Sequence, residues 1–178
     1  MGLFDKLFSK KETKEKKAER ISFDSPHGKF YYTASPSTDE YGYEGYVDWY
    51  PNGIEDESTE AYIDTDTPET TEAGQCFARF EKLMSDKERI DYEIKKNAAD
   101  YFLFKPDLLR GEFSEEDLIK QTDIIWIGLF RNGSTEFLLD AHWSEADDIT
   151  VVLNADGSKE IKYVAEYLDR FKEFCDRL

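Results

Sequence analysis

The chain has 178 residues, of which 39% are hydrophobic and 15% aromatic, and its formal net charge is −17. The aromatic content argues against a disordered chain, and the negative charge repels a nucleic acid backbone, so nucleic acid is not an expected partner. The sequence has no secretory signal and no apolar run of the ~20 residues that a transmembrane helix needs, which predicts a cytoplasmic protein with reduced thiols.

The first 20 residues differ from the rest of the chain in charge. They contain seven Lys/Arg and four Asp/Glu, a net charge of +3, whereas residues 21–178 contain 16 Lys/Arg and 36 Asp/Glu, a net charge of −20. We expect residues 1–20 to form a basic amphipathic leader or a flexible tether, and residues 21–178 to form a single acidic domain. An apolar stripe followed by lysines suits an anionic membrane surface. The residues predicted to contact the membrane are Leu3, Phe4, Leu7, Phe8, Lys10 and Lys11.

Strands are predicted first along the domain, and helices follow. Short strands over 21–24 and 28–33, a Tyr-rich strand over 43–50 and a strand over 61–64 are separated by turn-forming residues. Apolar residues then recur at helical spacing in 73–84 and again in 90–102, which predicts a pair of helices. Ser85 with Glu88 fits a capping box for the second helix, and Ser114 is the predicted cap of a short third helix.

The last third returns to strands. Residues 124–130 form a near-continuous apolar run, which is typical of a central strand covered on both faces. Asn132-Gly133 predicts a hairpin turn, strands are expected over 136–141, 149–153 and 160–162, and an apolar stripe from Val164 to Leu178 predicts a final helix. This order predicts an α+β fold, with an antiparallel sheet built from the N- and C-terminal strands and the central helix pair packed on it.

The stretch from Phe30 to Ala78 has no Lys or Arg and contains twelve Asp/Glu. Aromatic residues are interleaved with these acids, and such a surface suits a partner rich in Arg and Lys. The alternative is that the rings fill the core side of the sheet. The candidate partner-binding residues are Tyr43, Tyr46, Asp48, Trp49 and Tyr50.

Catalytic, metal and cofactor motifs are weak in this sequence. Asp140 and His142 could lie on one strand face, but no third ligand is evident, so we assign no metal site and no cofactor. Cys76 belongs to an apolar helical stripe and is expected in the core, and Cys175 fits the stripe of the final helix in the same way. No catalytic residue is assigned, although an enzyme with an unfamiliar site near His142 is kept as an alternative.

Two segments resemble known proteins. Residues 122–165 contain Trp126-Ile127-Gly128-Leu129-Phe130, then Asn132-Gly133-Ser134, and later His142-Trp143. This pattern resembles the C-terminal part of bacterial families of unknown function, some of which are similar to immunity proteins that neutralise toxins. The start, Met-Gly-Leu-Phe-Asp-Lys, resembles short amphipathic leaders of bacterial peripheral membrane proteins. The resemblance implies a small cytoplasmic α+β protein without an assigned activity.

Three hypotheses of function follow from the sequence. The first is a non-catalytic, immunity- or inhibitor-like module that binds a basic protein through an acidic aromatic surface. The second is a peripheral membrane protein tethered by residues 1–20 at the inner face of the membrane. The third is an enzyme that uses His142 with Asp140.

Overall fold

The computed structural model describes residues 21–35, 40–50, 59–68 and 71–164. The predicted leader at residues 1–20, with its membrane-contact residues, lies outside these ranges. The predicted C-terminal helix, including Cys175, also lies outside them, apart from Val164, which ends the last strand.

Eight strands and three α-helices occur in the described residues. The strands are β1 (Ser22–Ser25), β2 (Gly28–Ser35), β3 (Glu40–Val47), β4 (Thr59–Asp64), β5 (Thr122–Leu129), β6 (Thr135–Ala141), β7 (Asp147–Leu153) and β8 (Lys159–Val164). The helices are α1 (Thr71–Ser85), α2 (Lys87–Leu103) and α3 (Glu115–Lys120), with a 3-10 turn at Pro106–Leu108. All three helices therefore lie in the connection between β4 and β5.

The strands form one sheet whose spatial order follows the sequence from β1 to β8. Every neighbouring pair is antiparallel except β4 and β5, which are parallel. The predicted antiparallel sheet with a central helix pair is therefore wrong, because the sheet is mixed and a third helix belongs to the helical connection. Two neighbouring strands can run parallel only if the chain crosses back between them, and the long helical connection provides that crossing.

One face of the sheet packs against the helices. Buried residues of neighbouring strands line this face. The rings of Phe77 and Phe80 pack edge to face against Phe30, with centroids 5.4 and 5.3 Å from it. The ring of Phe102 on α2 packs edge to face against Trp143, with the ring centroids 5.2 Å apart. The row across the sheet comprises Phe30, Gly45, Ala61, Ile127, Phe137 and Val151. Burial of large apolar side chains on this single face supplies the core.

The predicted helix caps have different outcomes. Ser114 caps α3: its hydroxyl accepts a hydrogen bond from the Asp117 amide at 3.2 Å, and the Asp117 carboxylate accepts one from the Ser114 amide at 3.1 Å. The hydroxyl of Ser114 also donates to this carboxylate, and mainly for that reason the pKa of Asp117 lies below its usual value. The capping box of Ser85 with Glu88 is wrong, because Ser85 ends α1 and α2 begins after Asp86 without a side-chain cap.

The first hairpin of the C-terminal half is confirmed, with β5 and β6 joined through Asn132-Gly133. Of these two turn residues only Gly133 has a positive φ, at 91°. The side chain of Asn132 instead accepts a hydrogen bond from the Ser134 amide at 2.9 Å. The turn is therefore wider than the two-residue type that the sequence predicts.

The half-buried carboxylate of Asp91 on α2 binds the segment that follows β3. Oδ1 of Asp91 accepts hydrogen bonds from Trp49 Nε1 at 3.0 Å and from the Tyr50 hydroxyl at 2.8 Å. The same hydroxyl accepts a hydrogen bond from the amide of Ile124 on β5 at 2.8 Å. Burial raises the pKa of Tyr50 far above its usual range, so the phenol stays protonated and remains a donor to Asp91.

Lys95 completes the network around Asp91. Its ammonium lies 3.2 Å from Asp91 Oδ2 and 4.7 Å from the centroid of the Tyr50 ring, and the residue is only 8% exposed. A second carboxylate, Asp123 Oδ1, lies 3.7 Å from the same ammonium. A buried ammonium requires such compensation, because it loses hydration when it leaves water. The network therefore joins α2, the segment after β3 and the start of β5.

We predict that Asp91→Ala lowers the free energy of unfolding by about 2–4 kcal/mol, because two donors lose their acceptor and a buried ammonium loses the nearer of its two carboxylates. Urea denaturation followed by far-UV circular dichroism measures this loss. Glu93→Ala is the matched control on the same helix. Glu93 makes an exposed pair with Arg89 and a longer one, at 4.0 Å, with Lys159, so its removal is expected to cost no more than about 0.5 kcal/mol. Equal losses for the two variants would contradict a structural role for the network.

Candidate binding groove on the uncovered face of the sheet

The five candidate partner-binding residues do not form one surface. Tyr43 and Trp49 are buried in the core, and the hydroxyl of Tyr43 donates to the Pro68 carbonyl at 2.8 Å. Tyr50 belongs to the Asp91 network, whereas Tyr46 is 64% exposed and Asp48 is also exposed. The alternative that the rings fill the core side of the sheet therefore applies to Tyr43 and Trp49.

Tyr46 lies on the face of the sheet opposite the helices, which we call the open face. Across the strands, Tyr46 neighbours Glu60, and Glu60 neighbours Trp126. The adjacent row runs from Glu44 to Tyr62. Aromatic rings and carboxylates therefore alternate on this face, although they come from strands far apart in sequence.

A β-bulge in β5 places Trp126 on the open face. Ile124 pairs with Leu139 and Trp126 with the next residue of β6, Leu138, so Ile125 has no partner in the ladder. Ile124 and Ile127 consequently both face the core, while Ile125 is 45% exposed. The prediction that this strand is covered on both faces is wrong. The apolar run of β5 therefore has one buried face and one face that carries an aromatic ring toward solvent.

Three rings form the centre of a groove of about 450 Å³ on the open face. The planes of Tyr62 and Trp126 are parallel within 17°, with centroids 6.3 Å apart. Phe130 lies 6.1 Å from Tyr62 and 6.4 Å from Trp126. The groove is lined by Thr33, Ala34, Glu44, Glu60, Tyr62, Trp126 and Phe130, and we refer to it as the open-face groove.

Two glycines allow the rings to lie against the sheet. A Cβ at Gly128 would collide with the indole of Trp126 and would lie 2.9 Å from Cε2 of Phe130. A Cβ at Gly42 would lie 2.5 Å from Cε2 of Tyr62, whose hydroxyl is fixed by a 2.9 Å hydrogen bond to the Tyr41 carbonyl. Glycine at these strand positions is thus required by close approach of a ring to the backbone.

The two acids of the groove differ from the other carboxylates on the open face. Glu136 pairs with Lys162 at 3.3 Å, and Asp64 pairs with Arg131 at 3.0 Å. Within the described residues, Glu44 and Glu60 make no ion pair. They occupy diagonal positions on β3 and β4, where like charges on one face repel each other. A cation in the groove would relieve this repulsion.

The pair kept for a possible enzyme site, His142 with Asp140, lies in the described part of the chain. His142 is 75% exposed at its side chain, and its Nδ1 lies 3.5 Å from Asp140 Oδ1. The pair is therefore on open surface and belongs to neither the groove nor a pocket that would exclude water. In ranges 21–35, 40–50, 59–68 and 71–164, no three His, Cys, Asp or Glu side chains are grouped to hold a metal ion. Cys76 is buried.

The predicted membrane contacts cannot be placed on the fold, since residues 1–20 lie outside the described ranges. Of the helices that the structure describes, none is both long and apolar enough to span a membrane.

Comparisons with known proteins found no match for this chain. No protein-family model matches it, and neither a curated protein nor a solved structure matches it. The resemblance of residues 122–165 to immunity-protein-like families therefore stays a prediction.

Sequence reasoning missed Glu60, Tyr62, Trp126 and Phe130 as possible site residues. The alternation of Tyr62 with Ala61 and Ile63 was a usable signal, since it places a large ring opposite the core side of β4. Trp126 gave no such signal, because the bulge changes the face on which it lies.

We predict that Gly128→Ala displaces the ring of Trp126 and changes the shape of the groove, because the added Cβ would collide with the indole. Trp49 and Trp143 are buried, so acrylamide quenching of the protein's fluorescence reports mainly on Trp126, the third of three tryptophans. The quenching constant should change and the free energy of unfolding should fall by about 1–3 kcal/mol.

Gly74→Ala is the control for this substitution. Gly74 lies on α1, and a Cβ there would meet nothing within 4 Å. The change should leave quenching as it is and stabilise the protein by about 0.5–1 kcal/mol. A Gly128→Ala protein with wild-type quenching would show that the glycine does not position the indole.

Proposed function

We propose that this protein is a non-catalytic binding module whose open-face groove takes a basic segment of a partner protein. The observation that carries the proposal is the combination of parallel Tyr62 and Trp126 rings with two carboxylates, Glu44 and Glu60, that have no ion-pair partner among the described residues. An immunity- or inhibitor-like role fits this proposal, because such a module acts by covering the partner's surface.

Charge complementarity supports a basic partner. The groove is built on β2, β3, β4 and β5, and from Phe30 to Ala78 the sequence has no Lys or Arg. Opposite charge mainly speeds association, and it also excludes acidic competitors. The chain's overall charge of −17 extends this effect beyond the groove.

The rings supply the lasting part of the affinity. Aromatic residues are the commonest anchors of protein interfaces, since they bury a large area at little cost in side-chain entropy. Tyr46, 64% exposed, lies beside Glu60 at the edge of the groove and extends the aromatic surface. The open face thus offers a central aromatic cluster with an acidic rim.

The first test is a titration of the full-length protein with a twelve-residue peptide of alternating Arg, Lys and Gly. Tryptophan fluorescence monitors the titration, and Trp126 is the tryptophan that lines the groove. We expect saturable binding that weakens with added salt. Glu44→Gln with Glu60→Gln should weaken it roughly tenfold, given about 0.5–1 kcal/mol for each solvent-accessible charge pair.

Glu88→Gln with Glu112→Gln is the matched control, because it removes the same charge from two exposed positions away from the groove. Binding should be unchanged. If both double variants lose affinity equally, the peptide senses only net charge, and if no saturable signal occurs, the groove does not take basic segments.

We further propose that the module is cytoplasmic and that residues 1–20 hold it at the inner face of the membrane. The net charge of +3 in this leader contrasts with the acidic domain, which an anionic membrane repels. Such a leader would bring the domain to the membrane and leave the groove in solution.

The full-length protein should therefore sediment with phosphatidylserine-containing vesicles at low salt, and not with vesicles of neutral lipid. Leu7→Glu with Phe8→Glu should abolish sedimentation, since the stripe then carries two charges. Full-length protein that stays in the supernatant with the anionic vesicles would overturn this part of the proposal.

A further inference from the structure

We infer that the open-face groove recognises arginine in preference to lysine. The inference rests on the proposed function, because it specifies which basic side chain the groove takes. It concerns the shape of the cation as well as its charge.

The first support is the parallel arrangement of two rings. Because the planes of Tyr62 and Trp126 agree within 17°, a flat group that stacks on one ring is aligned with the other. A guanidinium is planar and weakly hydrated, and it stacks on aromatic faces. An ammonium has no plane to align and loses more hydration when it leaves water.

The second support is the position of the acids. Glu44 is the cross-strand neighbour of Tyr62, and Glu60 is the neighbour of Trp126, so each ring has a carboxylate beside it on the adjacent strand. A stacked guanidinium directs its N–H groups outward in a plane parallel to the rings, where a carboxylate can accept two of them. An ammonium on the same rings is a point charge without a plane. It cannot both stack on a ring and donate two parallel hydrogen bonds to one carboxylate.

The third support is an arginine that the open face already holds. At the end of β4, Nε of Arg131 lies 3.0 Å from Asp64 Oδ2, and the guanidinium also contacts Asp66. Asp64 is the cross-strand neighbour of Gly42, directly beside the groove. The two carboxylates around Arg131 are thus satisfied within the chain, while Glu44 and Glu60 are left to an incoming cation.

The decisive experiment compares two peptides that differ only in the cation. Isothermal titration calorimetry of the full-length protein with a Gly-Arg repeat and a Gly-Lys repeat of equal length gives their dissociation constants. We expect the Arg peptide to bind at least about fivefold more tightly. In the NMR spectrum its side-chain methylene protons should shift upfield, because they enter the ring current of Trp126.

Trp126→Leu tests the origin of the preference. This variant removes the larger of the two parallel rings and keeps both carboxylates, so the ratio of the two dissociation constants should fall toward one. Tyr92→Leu is the control, since Tyr92 is an exposed ring on α2 and its loss should leave the ratio intact. A Trp126→Leu protein that fails to fold would leave the wild-type comparison as the deciding result.

The outcomes separate this inference from the proposed function. Equal affinity of the wild-type protein for both peptides, with Glu44→Gln and Glu60→Gln still weakening both, would overturn the arginine preference and keep a basic-segment groove. Binding of neither peptide would overturn both. A preference that persists in Trp126→Leu would show that the indole does not produce it.

Discussion

The parallel pairing of β4 with β5 is the constraint on which the rest of the structure depends. Two antiparallel meanders meet at this pair, and parallel neighbours require a connection that crosses the sheet. α1, α2 and α3 all lie in that one connection, so the helices cover a single face. The core and the open face are therefore two consequences of one topological feature, and the groove lies across the seam, with Tyr62 on one side and Trp126 on the other.

The network around Asp91 stabilises the same seam from the helical side. Asp91 binds Trp49 and Tyr50, and Tyr50 in turn binds the Ile124 amide at the start of β5. The bulge that turns Trp126 toward solvent comes directly after Ile124. Residues that sequence reasoning assigned to a partner surface thus act in the interior, and they fix the strand from which the surface tryptophan projects.

The extent to which the sequence predicts this structure differs from element to element. Helical periodicity and the Ser114 cap identify the helices, and turn residues locate the hairpins, because these signals depend on neighbours in the chain. The direction of β5 relative to β4 depends on a contact between distant segments, so the mixed sheet could not be read from local pattern. Trp126 illustrates the same limit at the groove. One extra residue in a strand changes the face on which the following side chains lie, and the local sequence pattern does not reveal where such a residue occurs.

The strand order determines where the first and last strands lie in the sheet. Because β1 and β8 are the two edges of the sheet, the chain enters at one edge and β8 ends at the other. Strands lie about 4.8 Å apart, so seven steps separate the edges by roughly 34 Å, and sheet twist rotates one edge relative to the other. The groove lies between them, near the middle of the row. Chain segments joined at Ile21 and at Val164 therefore start from opposite edges of the sheet, and the recognition surface lies between their attachment points.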